Sequence, residues 1–357
     1  MRVPLDEPAW WYRRPGAAAA CLAPAAVLYG RVAMARYARV TPWRSRLPVL
    51  CVGNLVAGGT GKTPLVLHLC RHLAGAGRRP AVLTRGYGGR RAGPHWVAAA
   101  DTAAGVGDEA LLLARSAPTL VCRDRAAGAR AIEAGEAPRA SGAAPADVIV
   151  MDDGLQNPQL AKTLTLAVVD GIRGIGNGRV LPAGPLRAPL GFQLALVDAL
   201  VVNTADPEAG AATAASLRRR FDGPVLTCAT EIAGDGAWLA GQRVVAWAGI
   251  GAPERFFALL RGLSAEVAAA VAFRDHEVPG TAAARRLLAL AEAHRALLVS
   301  TEKDLARLQG AAGVLADLAA ATRPLPIALV FAEPDARRLA ALVASALESA
   351  GGTTHGG

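Results

Sequence analysis

The hydrophobic pattern of this chain repeats: short apolar runs of strand length, each followed by a longer stretch with helical spacing. Runs at 47–52, 80–84, 119–122, 147–151, 164–170 and 199–203 read as strands of a first α/β unit. Runs at 225–227, 243–251, 296–301 and 325–331 read as strands of a second. These runs lack the polar alternation of a half-exposed strand, as expected where both faces of a sheet are covered. Strand and helix in alternation predict parallel sheets. The expected division is an N-terminal segment over 1–45, a core domain over 46–204, a smaller α/β domain over 205–330, and a C-terminal helix over 331–357 ending in a disordered tail from Gly351.

One stretch breaks the repeat. Between Ala17 and Tyr37 the side chains are apolar with arginines gathered at the end, preceded by Trp10, Trp11 and Tyr12 and followed by Trp43. That predicts an amphipathic helix lying on a membrane, with aromatic rings at headgroup depth and arginines on anionic lipid. A helix packed on the core is the alternative, and the two can hold for different faces. Pro24, Arg31 and Arg36 interrupt the stretch, so neither a cleavable leader nor a bilayer-spanning length is expected.

Composition changes this picture in three ways. With 357 residues, 52% of them apolar, the chain can fill about two cores and is not disordered. A net charge of +10 predicts an anionic partner, which can be a membrane surface, a nucleic acid or a phosphorylated substrate. No stacking-aromatic array or recognised module accompanies that charge, which argues against nucleic acid. Only Lys62, Lys162 and Lys303 among 39 basic residues are lysine, so the lysines at 62 and 303 look selected for a compact ammonium. The five cysteines are scattered without a C-x-x-C pair, as reduced core thiols in a cytosolic setting would be.

The candidate chemistry centres on the segment from Asn54 to Pro64, which follows one apolar run and leads into an apolar helix. Gly58, Gly59 and Gly61 let the backbone curl so that successive N–H groups face a phosphate at a helix N-terminus. Lys62 can reach terminal phosphates and the Thr63 hydroxyl suits Mg²⁺. The pattern is x-G-G-x-G-K-[ST], with Val56 where the strict phosphate loop has glycine; Val56, Ala57, Gly58, Gly59, Thr60, Gly61, Lys62 and Thr63 are the candidate ATP-binding residues. Downstream, the apolar run ending at Asp152 and Asp153 has the form of a strand that aims a carboxylate at that ion.

Other segments are more ambiguous. The glycine-rich basic loop after Thr84 lies where parallel sheets bind ligands, making Arg85 and Tyr87 candidate substrate contacts, though a plain connection reads the same way. Asp108 and Glu109 open a helix and could simply complement its dipole. His276 is a lone histidine, more often a satisfied residue than a catalyst. The Gly/Pro loop over 177–187 is of a kind that carries function, and Arg187 in it could meet phosphate.

Taken in order, the segments GNLVAGGTGKTP, RGYGG, GDEALLLA, VIVMDDGLQN, NGRVLPAGPLR, AGIGAPERFF, FRDHE and STEKD resemble the tetraacyldisaccharide 4'-kinase family over nearly the whole chain. The resemblance implies a P-loop NTPase-like three-layer α/β/α domain hinged to a smaller α/β domain. It implies transfer of the γ-phosphate of ATP, with Mg²⁺, to the 4'-hydroxyl of a lipid disaccharide 1-phosphate. It also implies peripheral attachment through the N-terminal helix at the cytoplasmic face of the inner membrane, with no nucleic acid partner. It casts Asp108 as general base with His276 as partner across a domain cleft, Thr63, Asp152 and Asp153 as Mg²⁺ ligands, and Arg125 and Arg187 as phosphate contacts. The chain departs from the family pattern at Asn157, where a histidine is usual and which cannot carry a proton, and at Ala188, where an acidic residue is common. A membrane-associated nucleotide switch is the rival reading, but such proteins carry a signature lysine where Ala57 stands.

Overall fold

The computed structural model describes residues 7–135 and 144–351. The expected tail beyond Gly351 and most of the expected linker over 137–145 lie outside the described residues. The chain forms two compact units, each assembled from separated segments. The first takes residues up to Leu83, Asp124–Ala229 and residues from Leu329 on; the second takes Thr84–Arg123 and Thr230–Ala328. The linear division at 204 and 330 is therefore not that of the compact units, because the chain leaves the first unit after Leu83 and returns at Asp124.

In the first unit the strands lie in the order Ile327–Phe331, Val225–Ile232, Ala199–Thr204, Leu164–Asp170, Val49–Asn54, Val148–Asp152, Pro80–Thr84. Val49–Asn54 is central and pairs in parallel with both neighbours, placing Val52 beside Asp152 on one side and Leu166 on the other. Every residue of Val49–Asn54, Val148–Asp152, Leu164–Asp170 and Ala199–Thr204 is buried. Burial of alternate side chains on both faces requires cover on both faces, which makes this a three-layer α/β/α arrangement. At roughly 1.5–3 kcal/mol for each fully buried Val, Leu or Ile, these runs supply the dominant stabilisation of the unit. Burial pushes the thiols of Cys51 and Cys70 up to about 11 and about 12, so neither is a reactive thiolate.

The N-terminal helix Ala17–Ala38 is inverted in its packing. Its small residues Ala19, Ala26 and Gly30 are buried, while Val27, Leu28, Tyr29 and Val32 are exposed. Gly30 faces Pro189, where a Cβ would come within 3.2 Å of the proline Cγ. The helix matches the expected stretch over 17–37, but the expectation that nothing is long enough to span a bilayer is corrected: its 22 residues, with a mean hydropathy of 1.5 over an 18-residue window, are enough to cross a membrane by length and composition. Pro24, the eighth residue, removes the N–H that would bond Ala20 O, yet the helix continues through it.

The second unit is built on a four-stranded sheet, in the order Glu266–Ala272, Arg243–Ala248, Leu297–Thr301, Thr322–Leu325, all parallel. Phe257 and Leu260 cover one face and Leu287, Leu308 and Leu318 the other. The edge strand Glu266–Ala272 is not evident in the sequence, because its alanine-rich composition reads as helix. Pairing with Arg243–Ala248, with one register irregularity between Val267 and Ala269, overrides that propensity. The same unit holds the antiparallel pair His95–Trp96 with Thr119–Val121 and the short helix Asp108–Ala114. Ala110 and Leu111 of that helix share a core with Ala306 of the helix Glu302–Arg307.

Candidate active site

The first unit carries the glycine loop. The strand Val49–Asn54 ends at Asn54, whose buried amide donates to Val56 O (2.7 Å) and Gly58 O (3.2 Å) and so folds the loop back on its own strand. Ala57 N–H donates to Pro185 O at 2.8 Å, tying the loop to the segment before Arg187. Gly61, at φ +88°, is the residue from which the helix Lys62–Gly75 starts. Only glycine fits there, both for the left-handed backbone and because a Cβ would collide with the Asn203 amide. The dipole and unsatisfied N–H groups of this helix make a ready anion site.

Asp153 follows the strand Val148–Asp152 in a left-handed conformation, φ +50°. Its carboxylate meets Arg187 Nη1 at 3.0 Å and Lys62 Nζ at 3.6 Å, while Arg187 Nε donates to Val56 O at 3.1 Å. Burial alone would raise the Asp153 pKa, but Lys62 and then Arg187 outweigh it and hold the carboxyl down to about 2. Arg187 thus lies beside the loop. Arg125 is buried at the start of the helix Arg125–Glu133 and donates from Nη2 to Asp152 O at 3.2 Å. Asn157 closes a turn instead of facing outward as a base: its Oδ1 accepts from Gln159 N–H at 2.9 Å and its Nδ2 donates to Gln159 Oε1 at 3.1 Å.

Among the described residues no group of three His, Cys, Asp or Glu side chains could hold a metal alone. Magnesium bound with a triphosphate needs only one or two carboxylates, the rest of its shell being phosphate and water. The hard oxygen donors of Asp152, Asp153 and Thr63 fit that demand, with Asp152 in register with Val52 at the base of the loop.

The second unit carries a different kind of site. His276 Nδ1 lies 3.0 Å from Asp108 Oδ2, so the expected pair is formed, but within one compact unit and not across a cleft between two. The correction follows from topology, since the segment bearing Asp108 belongs with Thr230–Ala328. Asp108 Oδ1 accepts from Glu109 N–H at 2.9 Å, and Oδ2 also accepts from Arg307 Nε at 2.6 Å. Burial opposes ionisation of Asp108, yet the hydrogen bond from His276 and the charges of Lys303 and Arg307 win and hold it far below the usual carboxylate range. His276 itself sits at φ +63°, a conformation that costs a non-glycine residue about 1–3 kcal/mol and persists where surrounding structure imposes it. Its ring remains 33% exposed, and the exposed Tyr87 ring lies 5.3 Å away, centroid to centroid. Arg85 is exposed on the same loop as Tyr87. Lys303 pairs with Glu109 at 3.0 Å.

Arg307, Asp304, Asn54 and Asn203 were not picked out from sequence. The spacing of Asp304 and Arg307 at i, i+3 on the short helix Glu302–Arg307 was the one available signal.

A glycine loop feeding a helix from the central strand of a three-layer parallel sheet, with a lysine on a carboxylate at the end of the adjacent strand, defines a P-loop nucleotide-binding fold. The comparisons narrow this class to one enzyme family. The profile of the tetraacyldisaccharide-1-P 4'-kinase family matches residues 18–347, and the chain belongs to that family. A tetraacyldisaccharide 4'-kinase of Methylorubrum extorquens is 50% identical over 334 residues, covering 92% of this chain and 95% of its own. One of Rhodospirillum centenum is 45% identical over 340 residues, with 93% and 94% covered. The crystal structure of the "apo" form of LpxK from Aquifex aeolicus, in complex with ATP, aligns with a TM-score of 0.68 at 23% identity, covering 92% of this chain and 99% of that one; it shares the fold.

Proposed function

We propose that this chain transfers the γ-phosphate of ATP to the 4'-hydroxyl of a tetraacyldisaccharide 1-phosphate, the reaction its curated relatives are named for. ATP as donor is supported by the loop geometry and by the ATP complex of the structural relative. The observation that carries the reading is the hydrogen-bonded Asp108–His276 pair on a strained histidine, since a nucleotide switch that phosphorylates no acceptor has no use for it.

The loop N–H groups of residues 57–63 and Lys62 hold the β- and γ-phosphates, and Arg187 is close enough to the loop to share them. Asp152, Asp153 and Thr63 would hold Mg²⁺, which when bound neutralises charge on the phosphates. Arg125 keeps the backbone of Asp152 in place. Asp108 accepts the proton of the 4'-hydroxyl as general base, its carboxylate held ionised by the hydrogen bond from His276 and the charges of Lys303 and Arg307, and His276 orients it. Arg85 and Tyr87 contact the substrate beside that imidazole.

The exposed Val27, Leu28, Tyr29 and Val32 on a helix whose small residues face inward support peripheral attachment to the cytoplasmic face of the inner membrane. The experiment is phosphorylation of purified tetraacyldisaccharide 1-phosphate in detergent micelles, followed by product mass. Product dependent on ATP and Mg²⁺ is expected; hydrolysis of ATP at the same rate with and without lipid, and no phosphorylated lipid, would sink the reading in favour of a switch.

A further inference from the structure

We propose that Arg173 is a further phosphate-binding residue beside the glycine loop, held in readiness by Glu7, whose carboxylate lies against the loop and is displaced when the nucleotide enters; the inference rests on the loop as the ATP site. All of these residues belong to the first unit. The loop turns at Gly58, φ +99°, where Gly58 O accepts from the Asn54 amide at 3.2 Å. The space a side chain would take at Gly58 is filled by a carboxylate: a Cβ there would overlap Glu7 Oε1 and stand 2.7 Å from Glu7 Cδ. The other oxygen is held by two donors. Tyr12 Oη donates to Glu7 Oε2 at 2.6 Å, and Arg173 Nη1 donates to the same atom at 3.0 Å. One carboxylate therefore spans the gap between the loop and a guanidinium.

Arg173 is placed by the sheet. It follows the strand Leu164–Asp170, whose Val168 is in register with Asn54 of the central strand, so both chains emerge at the carboxyl end where parallel sheets bind ligands. Asp170 Oδ1 accepts from Arg173 N–H at 2.9 Å and fixes the turn there. The guanidinium lies 5.1 Å from the centre of the Tyr12 ring. The short helix Ala9–Tyr12 is anchored in turn, since Asn177 N–H donates to Trp11 O at 2.6 Å. Burial and the neighbouring Glu7 carboxylate push the Tyr12 phenol well above its ordinary pKa, so it stays a donor to that carboxylate.

The cations beside the loop are shared with carboxylates: Lys62 and Arg187 with Asp153, and Arg173 with Glu7. Asp153 has a further use as a Mg²⁺ ligand in the proposed reaction and can stay when the nucleotide arrives. Glu7 has none, and an anion against Gly58 repels phosphate held by the N–H groups of the same loop. Its departure frees the fork of Arg173, whose geometry suits phosphate oxygens, for the anion that replaces it. An ordinary ion pair tying down the N-terminal segment accounts for the 3.0 Å contact, but not for the second oxygen lodged at a glycine whose side-chain space it fills.

The test is equilibrium binding of ATP to the full chain, with Mg²⁺ and without lipid, by titration calorimetry, with thermal unfolding as a control. Glu7→Gln removes the resident charge at nearly constant shape and is expected to lower the Kd for ATP about tenfold. Tyr12→Phe loosens the carboxylate without removing its charge and should lower the Kd roughly twofold. Arg173→Met should raise it about tenfold. The double variant of Glu7→Gln with Arg173→Met decides the hand-over: it should bind ATP about tenfold more weakly than Glu7→Gln alone, because the guanidinium is lost from the bound state. Should Arg173→Met fail to fold, Arg173→Lys, which keeps the charge but not the fork, takes its place in both comparisons with an expected loss of about threefold. A Kd for Glu7→Gln equal to or above the parent's overturns the displacement. A double variant as tight as Glu7→Gln overturns the role of Arg173, which then only holds Glu7. Absence of ATP binding in the parent overturns ATP as donor and this proposal together, whereas ATP binding without phosphorylated lipid overturns the kinase reading alone.

Discussion

The glycine loop and the Asp108 cluster are built by opposite means. The loop is made of backbone: ten consecutive residues, a glycine in a left-handed conformation, and a helix start, with side chains of Asn54 and Asn203 bracing it. The cluster is made of the side chains of Asp108, His276, Asp304 and Arg307 around the backbone of Gly249, all in the second unit and none of them a site alone. A backbone site holds phosphate in any protein with that loop. A side-chain site is specific to one acceptor and one proton transfer, and fails when any member moves.

The contrast predicts where damage falls. The largest loss is expected for Lys62→Ala, with kcat at least ~10²-fold to 10³-fold lower and thermal stability close to the parent's, because the ammonium that would neutralise charge on the transferred group is removed. Asp108→Ala and His276→Ala should each lose ~10²-fold in kcat with KM for ATP little changed. The double variant should be hardly worse than either single one, because the two act as a unit. A large rise in KM for ATP in His276→Ala would break the division between the two sites.

Weaker effects sharpen it further. Leu28→Glu on the exposed apolar face should reduce partition onto anionic vesicles roughly tenfold while kcat in detergent micelles stays near parental. Gly61→Ala should cost about 1–2 kcal/mol in urea unfolding through its left-handed backbone, and weaken ATP binding as the Asn203 amide is pushed aside. The smallest effect concerns pH. The folded pKa of Asp153 lies at about 2, below its ordinary 3.8, so its contribution to stability is present above the ordinary value and is lost as pH falls through about 2. Asp153→Asn should therefore flatten the loss of stability between about pH 4 and pH 2, measured by urea midpoints.

Most strands of both sheets were legible because each is a fully buried run whose apolar residues are contiguous in sequence. The loop from Val56 to Thr63 was legible for the same reason of locality. Glu266–Ala272 was not, since alanine carries a helical propensity that only pairing with a neighbouring strand reverses. The capacity of the Ala17–Ala38 helix to span a bilayer was missed because Pro24, Arg31 and Arg36 read as interruptions of the apolar stretch. Arg307 was invisible because nothing near it in sequence distinguishes it from the many surface arginines; its burial and its partners at positions 108 and 249 are 199 and 58 residues away.

The sequence by itself determined the class of protein: the order and period of the buried runs, the glycine loop with its lysine, and a set of segments that place the chain in its kinase family. These are properties of neighbouring residues, and local sterics and hydrophobic burial act on neighbours. Tertiary structure alone decided which compact unit holds Asp108, that His276 joins it in a left-handed conformation, that Asn157 closes a turn, and that one buried guanidinium ties the pair together. Charge and hydrogen bonding act between whatever groups the fold brings within about 3 Å, and that proximity bears no relation to separation along the chain.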